Sequence, residues 1–256
     1  MKAIAIIPAR MNSSRFPGKP MTKIHGIPMI GHCFYRAQMC KDLLEVYVAT
    51  CDDDIFNYIE SIGGNAIMTS TTHERASDRT AEAMIKIEEM TGRNIDVVVM
   101  VQGDEPMITP EMISLSLSQF QIDSSIKVVN LMADMNSLKD FEDPNEVKVV
   151  VDKNSDALYF SREPIPSRKK GIEDVPMLKQ VCIIPFKRDY LIKFNELAET
   201  PLEQIESVDM MRILENGEKV RMVHTKEESY SVDTEEDRKK VELLLKKERL
   251  LKTYLP

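Results

Sequence analysis

Short apolar runs alternate with amphipathic stretches through the first hundred residues of this chain. Lys2-Ala-Ile-Ala-Ile-Ile7 is stopped by Pro8, and similar runs follow at 46–50, 66–68 and 95–101. Such runs lack the polar alternation of a half-exposed strand, so they suit strands buried on both faces. Helical periodicity lies between them at 28–40, 53–62 and 78–91. The alternation predicts an α/β fold, a mostly parallel sheet with helices on both faces.

After Gln102 the pattern loosens. It predicts a helix at 110–120, strands at 127–132, 146–152 and 157–161, a loop at 163–176 and a strand at 180–186. Helices at 188–196 and 201–214, a strand at 219–225 and a last helix from 235 to about 252 complete the chain. Together these predict a single domain, 1–256, with a smaller lobe around 130–215. The last helix starts acidic and turns basic, which complements its dipole.

Composition narrows the class. With 43% apolar and 30% charged residues, the chain can build a core and is not disordered. The longest apolar run near the start covers roughly a third of a membrane span, so no membrane helix or export signal is expected and the cytoplasm is the predicted compartment. Cys33, Cys40, Cys51 and Cys182 form no Cys-x-x-Cys pair, which argues against a zinc site or disulfide framework. The 17 methionines suit adaptable core filler. His25, His32, His73 and His224 sit beside no Ser or Cys in a nucleophile setting, which disfavours covalent catalysis.

The net charge of −8 hides a segregation. Residues 1–41 hold seven basic side chains and no carboxylate, leaving 27 basic residues against all 42 acidic ones elsewhere. An acidic chain of this kind is not expected to bind nucleic acid. Three of the seven cations, Arg10, Arg15 and Lys19, fall in the loop Pro8-Ala-Arg-Met-Asn-Ser-Ser-Arg-Phe-Pro-Gly-Lys-Pro20 after the first strand. Ligands of open α/β sheets bind at such strand ends. Arginine forks and a lysine point charge together suit a polyphosphate. The loop is neither a Walker motif nor Gly-x-Gly-x-x-Gly, and solvated surface charge is the competing reading.

Carboxylates complete the pattern. The run 95–101 leads directly into Gln102-Gly-Asp-Glu-Pro106, placing Asp104 and Glu105 at a strand tip, where Gly103 permits close backbone approach. Asp104 there suits Mg²⁺, which takes only one or two protein carboxylates; an ordinary solvated turn is the alternative. Asp233, in Val232-Asp-Thr-Glu-Glu-Asp237, reads first as a helix cap. It becomes a second ligand only if the fold returns it to Asp104.

The motifs Ile6-Ile-Pro-Ala-Arg10, Ser13-Ser-Arg15, Pro17-Gly-Lys-Pro20, Val101-Gln-Gly-Asp-Glu-Pro-Met107, Asn145-Glu-Val-Lys-Val-Val150, Ala157-Leu-Tyr-Phe-Ser-Arg162, Pro201-Leu-Glu203, Gly217-Glu-Lys219 and Val232-Asp-Thr234 occur in one order along the chain. In this they resemble the 3-deoxy-manno-octulosonate (Kdo) cytidylyltransferases. The resemblance implies a Rossmann-like nucleotidyltransferase fold with a small dimerisation lobe, and hence a homodimer. It implies attack by a sugar acid's anomeric 2-hydroxyl on the α-phosphate of CTP, with Mg²⁺, for lipopolysaccharide or capsule biosynthesis. Carried over by motif, Ala9, Arg10, Arg15, Lys19, Arg79 and Gln102 bind the nucleotide, and Asp104 and Asp233 share the metal. Arg10 and Lys19 join these two carboxylates as the catalytic set. Gln102, Arg162, Gln180 and Asp209 fall to the acceptor.

The chain departs from the family in three places. Arg75-Ala-Ser-Asp-Arg79 stands where the family has Ser-Gly-Thr-Asp/Glu-Arg, and Gln180-Val-Cys-Ile-Ile-Pro-Phe186 replaces His-x-Gly-Ile-Tyr-Gly-Tyr. Downstream, Asp209-Met210 takes the place of a Glu-Gln pair. Loss of an imidazole and two phenols alters the hydrogen bonds offered to a sugar. Kdo retained through compensation, and another acidic acceptor such as an amino-substituted Kdo, a nonulosonic acid or a phosphonate, both remain open, as does an idle nucleotide-binding scaffold.

Overall fold

The computed structural model describes residues 1–12, 16–172 and 174–255, in two compact units: Met1–Ser114 with Glu228–Pro256, and Leu115–Glu227. In the first unit β1 (Ala3–Ala9) leads to a small hairpin, β2 (Lys23–Ile24) and β3 (Ile27–Pro28). Then come α1 (Met29–Gln38), β4 (Val46–Thr50), α2 (Asp53–Ser61), β5 (Asn65–Met68), α3 (Ala76–Thr91), β6 (Val97–Val101) and the connecting α4 (Pro110–Ile122). β1 pairs in parallel with β4 and β6, and β4 with β5. Every residue of β1, β4 and β6 is buried, as their unbroken apolar sequence requires. Asp53 and Asp54 favour the start of α2, and Gly92, in the left-handed region, ends α3.

The second unit comprises β7 (Val129–Asp134), α5 (Leu138–Glu142), β8 (Lys148–Val151), β9 (Ala157–Ser161), β10 (Leu178–Val181), β11 (Ile183–Lys187), α6 (Arg188–Glu196), α7 (Pro201–Glu206), α8 (Met210–Glu215) and β12 (Arg221–Thr225). Its sheet runs β12-β7-β10-β8-β9, and only the β7–β12 pair is parallel. The mostly parallel sheet is therefore a property of the first unit. The chain then re-enters that unit with α9 (Glu235–Leu245).

Three predicted elements divide, each for a local reason. The strand expected at 180–186 breaks at Cys182, where Asn130 Nδ2 takes the Val181 carbonyl at 2.7 Å. The helix expected at 201–214 breaks at Ser207, which is left-handed, because Arg162 captures the carbonyls of Glu206 (2.7 Å) and Ser207 (3.3 Å). The last helix ends at Leu245, and the chain turns through a short 3-10 helix, Leu250–Thr253, that buries Leu251 with Ile24, Met29, Met107, Val232 and Val241.

Glu203 and Arg212 hold α7 to α8 through a fully desolvated fork, Nε–Oε2 2.7 Å and Nη2–Oε1 2.6 Å. Removing one partner strands the other charge. Glu203→Gln is expected to cost about 3–5 kcal/mol in urea unfolding, and Glu203→Met with Arg212→Met to recover most of it.

In the first unit His32 is buried between the Ile24 carbonyl (Nε2, 2.8 Å) and the Tyr254 hydroxyl (Nδ1, 2.9 Å). The carbonyl can only accept, so Nε2 carries the proton and Nδ1 accepts from Tyr254, whose oxygen in turn accepts from Arg36 Nε at 2.9 Å. Burial, aided by the Arg36 charge, pushes the imidazole down to about 4. The unfolded chain therefore binds a proton that the native one refuses between about pH 6.5 and 4, and stability falls as pH falls through that window. Between pH 7 and 5 the wild type should lose roughly 2 kcal/mol more than His32→Asn in denaturant titrations.

Candidate active site

Two strand ends of the first unit and the chain that returns to it build the site. After β1, Gly18 adopts φ 71°, where a side chain is strained, and opens a 3-10 turn, Lys19–Met21, stiffened by Pro20. The Gly18 N–H donates to the Met11 carbonyl (3.1 Å) and the Met11 N–H to Asp52 Oδ2 (2.8 Å), so the base of Lys19 is fixed. After β6, Gly103 passes so close to β1 that a Cβ there would lie 3.0 Å from the Pro8 carbonyl oxygen. The close approach read from the sequence is real, and Asp104 follows it in the cavity lining. The buried Glu105 carboxylate accepts from Ser229 Oγ at 2.7 Å and pins the turn.

The returning chain supplies the third part. Val232 N–H donates to the Asp104 carbonyl at 3.0 Å, which brings Asp233 beside Asp104. Thr234, with Asp237, forms the capping box of α9. The cap reading of Asp233 is thereby corrected: Thr234 does that work, and the Asp233 carboxylate accepts from Lys19 instead.

Lys19 Nζ lies 2.7 Å from Asp104 Oδ2 and 3.0 Å from Asp233 Oδ1. Burial opposes its charge, but Asp104 and then Asp233 outweigh that and hold the ammonium above the ordinary lysine range. The second oxygen of Asp104, Oδ1, is buried without a hydrogen-bond partner. Among the described residues no three ligand-type side chains gather for a metal, so this pair is the carboxylate cluster to weigh.

A cavity of about 320 Å³ opens beside the pair, lined by Ala9, Arg10, Lys19, Arg79, Gln102 and Asp104 among others. Six sequence-predicted residues thus share one cavity. Arg79 is buried, its Nη1 donating to Thr69 Oγ1 and to the Ser70 carbonyl, while Nη2 has no partner. An unpartnered guanidinium nitrogen and an unpartnered carboxylate oxygen at one cavity are the orphan groups a polar ligand would satisfy. Arg10 Nη1 reaches the His73 carbonyl at 3.4 Å. Arg15, with Ser13 and Ser14, lies outside the described residues.

The sequence reading missed His73 and Glu74, which line the same cavity beside Arg75 and Ala76. His73 Nε2 is held by Glu82, which also receives the Ser70 N–H at 2.9 Å. The available signal was the polar run Thr71-Thr-His-Glu74 just before α3.

The acceptor candidates other than Gln102 belong to the second unit. Arg162 donates through Nε, Nη1 and Nη2 to the carbonyls of Glu206, Pro144 and Ser207 at 2.7, 2.8 and 3.3 Å. Gln180 Nε2 donates to Asn130 Oδ1 at 2.6 Å. Asp209 stands at the start of α8. Ile184 and Phe186, where the family places phenols, are buried.

Comparison with known proteins shows the family. Residues 4–220 match the family model described as Cytidylyltransferase. The 3-deoxy-manno-octulosonate cytidylyltransferase of Geobacter metallireducens is 41% identical over 251 residues, covering 94% of this chain and 96% of that protein. The enzyme of that name from Fusobacterium nucleatum is 39% identical over 242 residues, with coverage of 94% and 96%. A solved structure of CMP:2-keto-3-deoxy-manno-octonic acid synthetase complexed with CTP superposes with a TM-score of 0.87 at 38% identity, over 96% of this chain and 99% of that one. A 4-diphosphocytidyl-2C-methyl-D-erythritol synthase from Anaerococcus prevotii, at 15% identity and TM-score 0.60, shares the fold, over 96% of this chain and 97% of that one. Among the described residues no helix is long and apolar enough to cross a membrane.

Proposed function

Because this chain belongs to the cytidylyltransferase family, we propose that it transfers CMP from CTP to the anomeric 2-hydroxyl of a Kdo-like 2-keto-3-deoxy sugar acid, releasing pyrophosphate. The observation that carries the reading is the Lys19–Asp104–Asp233 constellation beside a cavity lined by Arg10 and Arg79. Phosphoryl transfer is largely positioning and charge neutralisation, and these residues supply both. Arg10 and Lys19 bind triphosphate oxygens, with Arg15 as a third cation from the same loop. Arg79 turns Nη2, the nitrogen without a partner, to the nucleotide; Ala9 and Gln102 pack against it.

Asp104 and Asp233 hold Mg²⁺ in this reading. The fit rests on the donor set, two carboxylates of which one keeps a buried oxygen without a partner, and Mg²⁺ asks for no more from protein. When bound, Mg²⁺ lowers the charge on the phosphates and polarises the attacking hydroxyl. The protein works in the cytoplasm as a homodimer formed through the smaller lobe around 130–215, supplying an activated sugar for lipopolysaccharide or capsule.

Gln180 and Asp209 contact the acceptor, while Arg162 donates to the carbonyls of Pro144, Glu206 and Ser207 and ties those segments together. A second reading, transfer to an amino-substituted Kdo or another acid, is favoured by one observation. Asn130 Nδ2 donates to the carbonyls of Leu131 (3.0 Å) and Val181 (2.7 Å), so its oxygen must accept from Gln180 Nε2. That fixes the Gln180 amide and leaves its Oε1, an acceptor, for the substrate. An ammonium would meet it with a charge-assisted hydrogen bond, stronger than the neutral one from a Kdo hydroxyl.

Pyrophosphate release with CTP, Mg²⁺ and a panel of sugar acids tests the reading. Kdo or a close analogue should be turned over; no release with any acid, while CTP still binds, would leave the scaffold. Gln180→His is expected to raise kcat/KM for Kdo relative to other acids with KM for CTP unchanged. An unchanged ratio would mean that Gln180 does not select the acceptor.

A further inference from the structure

We propose that Lys19 is the internal counter-ion of the Asp104–Asp233 pair, and that a divalent cation enters only as CTP draws Lys19 onto its phosphates, so that nucleotide and metal load together. This rests on the assignment of those carboxylates to the metal. It adds that, without nucleotide, the site is closed by the protein's own ammonium.

The geometry carries the argument. The ammonium touches one oxygen of each carboxylate, at 2.7 and 3.0 Å, and the three side chains are only 12–22% exposed. Two carboxylates so placed repel each other unless a cation stands with them. Lys19 meets that need, and a metal ion on the same oxygens must displace it. The cavity beside it can receive the displaced ammonium, and there Arg10, Arg75 and Arg79 outnumber the one further carboxylate, Glu74. Without nucleotide that move crowds Lys19 against the three guanidinium groups. CTP reverses the sign of the cavity and gives Lys19 a new anionic partner. The lysine side chain suits such a move, a compact charge on a four-carbon stem whose base is fixed by the Gly18–Met21 turn. By linkage, metal must favour CTP to the same degree that CTP favours metal.

Mn²⁺ binding to the nucleotide-free protein, followed by the electron paramagnetic resonance of free Mn²⁺, tests this without catalysis. The wild type should bind weakly, and Lys19→Met about tenfold or more tightly. Lys19→Arg, which keeps the charge, should stay weak, and adding Asp104→Asn to Lys19→Met should abolish the gain. Equal or weaker binding by a folded Lys19→Met overturns the proposal. If Asp104→Asn nevertheless abolishes Mn²⁺ retention in the presence of CTP, the metal assignment stands alone; if it does not, both fall. A measurement on the wild type guards against a variant that fails to fold. The NMR signal of ¹³C-methylated Lys19 should ignore Mg²⁺ alone and shift with Mg²⁺ and CTP together, and a shift with Mg²⁺ alone overturns the proposal.

Discussion

Asp104→Asn is expected to lower kcat/KM for CMP transfer by about 10³-fold while leaving the fold intact, the scale of losing a principal electrostatic group at a phosphoryl-transfer centre. The fold should survive because Asp104 is tied to the structure through its backbone: its carbonyl accepts from Val232, and Gly103 before it sits against Pro8. Asparagine has the same shape and keeps both. It removes the charge that pairs with Lys19 and the oxygen assigned to Mg²⁺. Pyrophosphate release read alongside thermal unfolding separates the two effects, and near-normal turnover would take Asp104 out of the metal site.

Lys19→Ala should raise KM for CTP by about 30- to 100-fold, the value of one or two charge-assisted hydrogen bonds to phosphate, with KM for the acceptor changing only a few-fold. The asymmetry follows from position: Lys19 lines the cavity that also holds Arg10 and Arg79, whereas Gln180 and Asp209 lie in the other unit. An equal loss for both substrates would contradict a triphosphate role. The variant also frees the carboxylates, so weaker CTP binding and tighter nucleotide-free Mn²⁺ binding should appear in the same protein.

Much of the first unit was legible because strands buried on both faces must be written as unbroken apolar runs, and β1, β4 and β6 are. The site was legible in part for the same reason: a cation-bearing loop and an acidic turn each follow such a strand. Asp233 was not readable alone. Its neighbour Thr234 is an equally good cap, and only the Val232–Asp104 backbone bond decides which of the two turns to Lys19. The break between α7 and α8 was hidden because its cause, Arg162, arrives from β9 rather than from the helix sequence. His73 looked isolated for a similar reason, since Glu82, which holds it, belongs to the next helix.

The charge segregation gains a location from these contacts. An acidic chain can receive a triphosphate because its carboxylate-free first segment places Arg10 and Lys19 at the cavity, and the two carboxylates beside Lys19 already share its ammonium.

The most direct measurement is ³¹P NMR of the protein mixed with CTP, Mg²⁺ and a 2-keto-3-deoxy sugar acid. The expected result is loss of the three CTP resonances with equal appearance of pyrophosphate and a single phosphodiester resonance of a CMP-sugar, none of it with Asp104→Asn. CTP resonances that persist with Kdo and with every related acid, in protein that still binds CTP, would contradict the account.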